Sequence, residues 1–106
     1  MDKPRWTSKI FRKYFLVMKV KLELFGASRD LSDNEHLEIE VQDKASVDDL
    51  RNEIIKYIYK NFKGNEGFIK VVNSSAFCSE NNKIINDNYK IIKDQKIGII
   101  PPIGGG

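Results

Sequence analysis

The chain has 106 residues, 41% hydrophobic and 31% charged, with three prolines. That suffices for one small domain with a modest core. It is too little for a second domain or a deep, many-walled active site, and the composition is not that of a disordered or fibrous chain. The net charge of +3 is unevenly placed. Residues 1–17 carry Lys3, Arg5, Lys9, Arg12 and Lys13 against the single acid Asp2, leaving 13 basic and 14 acidic side chains for the rest. A nearly neutral body disfavours a broad nucleic-acid surface, so no nucleic-acid partner is expected. The single cysteine, Cys78, excludes an internal disulfide and a multi-cysteine zinc site and suits a reducing compartment. No apolar run approaches the roughly 20 residues of a membrane span, which predicts a soluble, cytoplasmic protein.

Residues 1–17 form a basic N-terminal extension, read as flexible. Ile10, Tyr14 and Val17 share a side if it is helical, so three accounts stay open: a loose extension, a transit peptide, or a helix that docks on a membrane surface or a partner. From Met18 the pattern is clean. Val20, Leu22 and Leu24 alternate with charged residues, as do Leu37, Ile39 and Val41 within His36 to Val41. The two are expected to form half-buried strands paired as a hairpin, around a turn-rich stretch anchored by Leu31.

The strongest helix signal follows. Ser46 and Asp49 have capping-box spacing, and Val47, Leu50, Ile54 and Ile58, with Tyr57 beside them, make one apolar stripe. Arg51, Asn52, Lys56 and Lys60 are expected to face water. Asn61 to Gly67 should break the helix. Gly64 and Gly67 lie in a polar loop, which is not a phosphate-binding context. Phe68 to Asn73 reads as a third strand, Asn73 to Asn82 as a polar connection, Ile84 and Ile85 as a short edge strand, and Ile97 to Ile100 as a buried central strand. This order predicts an α+β, ubiquitin-like β-grasp domain over residues 18–100, with one mixed sheet of four to five strands and one main helix across it.

Catalytic constellations are not found. His36 alternates onto the charged face of its strand, Cys78 falls in a polar loop with nothing to stabilise a thiolate, and Asp48 and Asp49 read as cap and surface charge. No metal site and no bound cofactor are expected, and the chain is not expected to be an enzyme by itself.

The chemistry is expected in residues 101–106: Pro101, Pro102, Ile103, Gly104, Gly105 and Gly106. Prolines cannot donate to a sheet ladder and fix φ, so they end the strand and form a stiff neck. The glycines, lacking Cβ, can thread a narrow tunnel. Six residues at ~3.3 Å each reach roughly 20 Å, enough to carry a terminal carboxylate into a partner's cleft. There it could be adenylated with ATP and converted to a thiocarboxylate. A frayed glycine end is the alternative that the preceding Pro-Pro argues against.

The ending Ile99-Ile100-Pro101-Pro102-Ile103-Gly104-Gly105-Gly106 resembles the small, sulfur-carrying subunit of molybdopterin synthase, within the ubiquitin-like sulfur carriers. Lys19 to Gly26, Ser46 to Leu50 and Val72-Asn73 support the resemblance, which covers about residues 18–106. It implies that Gly106 is adenylated by an E1-like activating enzyme using ATP and loaded through a sulfurtransferase or cysteine desulfurase. The sulfur is then presented in the molybdopterin synthase large subunit. Pro101, Pro102, Ile103, Gly104 and Gly105 would thread the partners, and the apolar outer face near the last strand would dock. Relatives that share the fold and the diglycine leave open a protein modifier joined to its targets through Gly106, of the small archaeal or ubiquitin-related kind, with a further role in tRNA thiolation. A non-covalent binding module with an idle tail is a third reading.

Overall fold

The computed structural model describes residues 17–103; the expectations for residues 1–16 and for Gly104 to Gly106 lie outside the described residues. Strand β1, Val17–Leu24, buries Met18, Val20, Leu22 and Leu24 and turns the residues between them outward. It pairs antiparallel with β2, His36–Gln42, so that Leu22 faces Leu37, Val20 faces Ile39 and Met18 faces Val41. A 3-10 turn over Gly26–Leu31 joins them, entered through Gly26 at φ +55, a conformation that costs glycine nothing. Leu31 anchors it at 1% exposure.

After the two-residue strand β3, Ala45–Ser46, helix α1 spans Val47–Phe62. Its start is the capping box that the sequence indicates. The Asp49 N–H donates to Ser46 Oγ at 3.1 Å, and the Ser46 N–H donates to Asp49 Oδ2 at 2.9 Å. These bonds satisfy two free donors of the first turn. The Ser46 backbone N–H, followed by its hydroxyl, holds the Asp49 carboxyl below its ordinary range. Val47, Leu50, Ile54 and Ile58 are fully buried against the sheet. Tyr57, beside them, donates its hydroxyl to the Leu31 carbonyl at 2.8 Å, and burial pushes its pKa up. The helix ends where Lys63 turns left-handed at φ 54 and the Gly64 N–H reaches the Ile58 carbonyl at 3.2 Å.

Residues 68–73 are not the expected third strand. Glu66–Ser74 is a second helix, α2, capped by Asn65, whose side-chain oxygen accepts the Phe68 N–H at 3.1 Å. Its apolar side puts Val72 in the core, with Phe68 and Ile69 packed against it, and Phe68 meets Phe62 edge-on at 5.0 Å. The strand comes later, as β4, Ala76–Cys78, inside what the sequence suggests is a polar connection. Then come β5, Ile84–Ile85, the expected edge strand; β6, Lys90–Ile91, which pairs with β3; and β7, Gln95–Ile100.

The five-stranded sheet has the order β2-β1-β7-β4-β5. β7 runs parallel to β1 and antiparallel to β4, with Ile99 between Leu24 and Phe77. A mixed sheet with its last strand in the middle and a helix across one face is a ubiquitin-like β-grasp fold. The expected single helix is joined by α2 and by the small β3-β6 ladder.

Arg51 corrects a second expectation. It does not face water, being 12% exposed at its side chain. It donates to the Val72 carbonyl at 2.7 Å, the Ser75 carbonyl at 3.0 Å and the Asp87 carboxylate at 2.8 Å. Its guanidinium also lies 4.9 Å from the centre of the Phe77 ring. One side chain thus ties α1 to the end of α2, to β4 and to the loop before β6, supplying donors to carbonyls that a helix end leaves free.

Candidate functional site

β7 leads directly into residues 101–106. Because it is hydrogen-bonded on both sides, by β1 and by β4, the base of the tail sits on an interior strand of the sheet. Ile97 and Ile99 point into the core with no exposure. Gly98 points to the outer face, where a Cβ would lie 2.8 Å from Cys78 Sγ and 3.1 Å from Cε2 of Phe25. The Phe25 ring and the Cys78 thiol therefore close over the backbone of β7 in space that only glycine leaves.

Pro101 is buried, Pro102 exposed and Ile103 99% exposed. The Pro101 ring lies against Gly26 of the 3-10 turn, its Cδ 3.8 Å from the position of a Cβ there. The prolines leave the sheet without regular structure, and Ile103 lies in a turn. Within two residues the chain passes from held to free. Gly104, Gly105 and Gly106, three of the six expected site residues, lie outside the described residues.

Next to this exit the outer face of the sheet is apolar. In register across it stand Cys78, paired with Ile84 on one side and Gly98 on the other, and in the next row Ala76 opposite Ile100. Phe25 is 42% exposed and Ile84 67%. Further along, the same face is charged, with Lys19 opposite Glu40, Lys21 opposite Glu38, and Lys96 3.8 Å from Glu23. The sequence pointed to an apolar outer face near the last strand without naming its side chains. Phe25 follows the alternating strand at a turn and Ile84 belongs to the expected edge strand, but neither position by itself tells which face of the sheet it joins. The signal that locates them is the strand register, which a sequence alone does not give.

The other candidates stand apart from the tail. His36 is exposed and sits opposite Glu23. Cys78 is not in a polar loop but buried in β4. Among the described residues no three His, Cys, Asp or Glu side chains come together as a metal site would need, and no helix is long and apolar enough to cross a membrane.

Comparison with known proteins agrees with this geometry. No curated protein matches the chain. Among solved structures it is similar to a Pyrococcus furiosus protein assigned as molybdopterin converting factor, subunit 1, at 27% identity and a TM-score of 0.59, over 81% of this chain and 99% of that one. It is also similar to the small archaeal modifier protein 1 of Methanosarcina acetivorans, at 25% identity and a TM-score of 0.54, over 85% of this chain and 98% of that one. The Haloferax volcanii small archaeal modifier protein 1, at 14% identity and a TM-score of 0.57 over 83% of this chain and 99% of that one, shares the fold. The ThiS family model matches residues 22–106, from the middle of β1 through the tail. The chain therefore belongs to the ThiS family of ubiquitin-like sulfur carriers.

Proposed function

We propose that this chain carries sulfur for molybdenum cofactor synthesis as the small subunit of molybdopterin synthase, with Gly106 as its terminal, reacting residue. The observation that carries the reading is the tail exit: a centrally held strand, a buried Pro101, and an Ile103 that is 99% exposed. A tail anchored at its base and already exposed at Ile103 suits delivery of a carboxylate into another protein's cleft. The 27% identity to the Pyrococcus furiosus protein over nearly its whole length favours the molybdopterin branch.

In this reading an adenylating enzyme binds the body and receives residues 103–106. The Gly106 carboxylate attacks the α-phosphorus of ATP and pyrophosphate leaves. The outer sulfur of a persulfide on a sulfurtransferase or cysteine desulfurase attacks the activated carbonyl and AMP leaves; a second thiol then cleaves the resulting acyl disulfide, forming a disulfide with the donor cysteine and releasing the thiocarboxylate. The thiocarboxylate is then inserted into the large subunit of molybdopterin synthase, where its sulfur passes to the pterin precursor and the Gly106 carboxylate is regenerated with an oxygen from water. The chain supplies no acid or base to these steps, so its contributions are docking, reach and a backbone slim enough to thread. The apolar surface of Phe25, Ala76, Ile84 and Ile100 beside the exit is the docking face. Its position suits a partner that reads the body while the tail is inserted.

The 25% identity to the Methanosarcina acetivorans modifier supports a second reading, in which activated Gly106 is joined to lysines of other proteins. Both share adenylation, so the test lies beyond it. Incubation with activating enzyme, ATP and a sulfur donor should convert the intact protein to a species heavier by the difference between sulfur and oxygen. A deletion strain should lose molybdoenzyme activity. Retained molybdoenzyme activity together with Gly-Gly adducts on cellular lysines would favour the modifier.

A further inference from the structure

One edge of the main sheet is long and open. In the order β2-β1-β7-β4-β5, the strand β2, His36–Gln42, has β1 as its single neighbour among the described strands. The direction of its unpaired backbone groups follows from the ladder. The Leu24 N–H donates to the Glu35 carbonyl at 3.0 Å, and antiparallel pairs alternate between hydrogen-bonded and non-bonded. Two-residue steps along the register then bond Leu37, Ile39 and Val41 to β1. The N–H and C=O groups of Glu38 and Glu40 therefore point away from the sheet, as a row onto which another strand can pair.

The two flanks of this edge define what fits. On the outer face Glu38 and Glu40 are exposed and stand opposite Lys21 and Lys19 of β1. A strand added on the open side would set its own residues against the same two acids. β1 already shows the match, because in Lys19-Val20-Lys21-Leu22 the lysines face the glutamates and the apolar residues between them are buried. On the inner face a groove of about 690 Å³ lies between the end of β2 at Val41 and α1, where Asn52, Ile55 and Tyr59 line it along with charged residues that include Glu53 and Lys56. Asn52, Ile55 and Tyr59 recur at spacings of three and four and so share one flank of the helix. Tyr59 is 63% exposed, which leaves apolar surface uncovered in the groove. A second copy of β2 fits this edge poorly. Antiparallel and fully overlapped, two such strands would place each Glu38 opposite a Glu40, and like charges directly opposite are destabilising.

We propose that the β2 edge and the groove beside α1 bind, by strand addition, an extended segment of a partner protein in which basic and apolar residues alternate. The basic residues pair with Glu38 and Glu40, and the apolar ones enter the groove beside Ile55 and Tyr59. This edge lies two strands from β7, about 10 Å across the sheet, and at the opposite end from the β4-β5 pair. Such a partner and one that receives the tail therefore use different strands.

The test uses the full chain and a capped peptide with Lys and Val at alternate positions, matching the seven residues of β2. One control peptide carries Glu in place of Lys, and another has the same composition with its lysines and valines in separate blocks. Titration calorimetry gives Kd, and amide hydrogen exchange followed by NMR locates the contact. The alternating basic peptide should bind at least about ten-fold more tightly than either control. At about ten times Kd it should slow exchange of the Glu38 and Glu40 amides by about ten-fold, while those of Ile39 and Val41, already bonded to β1, change little. Strand addition gives that pattern and charge attraction alone does not. Glu38→Lys combined with Glu40→Lys, at two exposed positions, should reverse the preference between the basic and acidic peptides, with thermal melting to check that the variant is folded.

Equal binding of the acidic peptide by the wild-type chain, or binding without protection of Glu38 and Glu40, would overturn the proposal. So would protection of these two amides in the free chain. If it rose with chain concentration the edge would belong to a second copy, and if it did not, to residues 1–16. Sulfur loading of Gly106 is read separately by mass, so each of these results leaves the carrier function standing.

Discussion

Replacing Arg51 by methionine tests whether one buried cation holds the second half of the domain in place. Methionine keeps most of the aliphatic length but removes the donors to the Val72 and Ser75 carbonyls, at 2.7 and 3.0 Å, and the charge over Phe77. A hydrogen bond from a charged group contributes about 1.5–3 kcal/mol and a cation over a ring about 0.5–2 kcal/mol, more as it is desolvated. Water can replace part of the loss at this partly open site, so Arg51→Met should destabilise by about 3 kcal/mol in all. With a urea slope of about 1.5 kcal/mol/M, the denaturation midpoint should fall by about 2 M. The partner acid should matter much less, because the Asp87 side chain is 60% exposed and an exposed pair contributes about 1 kcal/mol at most. Asp87→Asn therefore serves as the internal control, and Arg51→Lys, which keeps the charge but not the fork, should fall between the two. Urea titrations followed by circular dichroism would measure all three. Arg51→Met within about 0.5 kcal/mol of wild type, or Asp87→Asn costing as much as Arg51→Met, would refute the assignment of stability to the carbonyl contacts.

Gly98→Ala should cost about 1–2 kcal/mol by overpacking, since its Cβ would sit 2.8 Å from Cys78 Sγ. Cys78→Ala in the same chain should recover part of that loss in a thermal-melt cycle. Tyr57→Phe leaves the Leu31 carbonyl without its donor and should cost about 1 kcal/mol by the same assay. The Asp49 carboxyl titrates below its unfolded value of 3.8, chiefly because the Ser46 N–H binds its charged form. Its stabilising contribution is complete above that value and is lost as pH falls through the lower folded value. Asp49→Asn should therefore lower stability by a constant amount between pH 6 and 8 and flatten the acid limb of the stability-versus-pH curve.

Much of the fold was legible because its signals are local. β1 and β2 alternate with period 2, and Ser46 with Asp49 marks the start of α1 within a single turn. Residues 68–73 misled because Ile69, Val71 and Val72 are β-branched, and a short apolar run has no period of its own. The signals that decide it are Asn65 as a cap three residues before Phe68 and the four-residue spacing from Phe68 to Val72. With that helix misread, β4 was hidden in three residues, Ala76 to Cys78, which become a strand only by pairing with β7. Arg51 was read as solvated from its charge alone, although it follows Val47 by four residues and precedes Ile54 by three and so lies on the buried stripe. At the candidate site, the neck and its end on a central strand were readable from Ile97 to Pro102. The apolar outer face beside it was not, because Phe25, Ala76, Ile84 and Ile100 come together only through the pairing of β4 with β5 and β7.

The central claim, that the tail carries sulfur on Gly106, is tested most directly by the intact mass of the chain after incubation with its activating enzyme, ATP and a sulfur donor. Complete conversion to a species heavier by the difference between one sulfur and one oxygen is expected, with fragmentation placing the change on Gly106. A mass that stays unchanged while ATP is turned over to the acyl-adenylate, or a sulfur adduct located on Cys78, would contradict it.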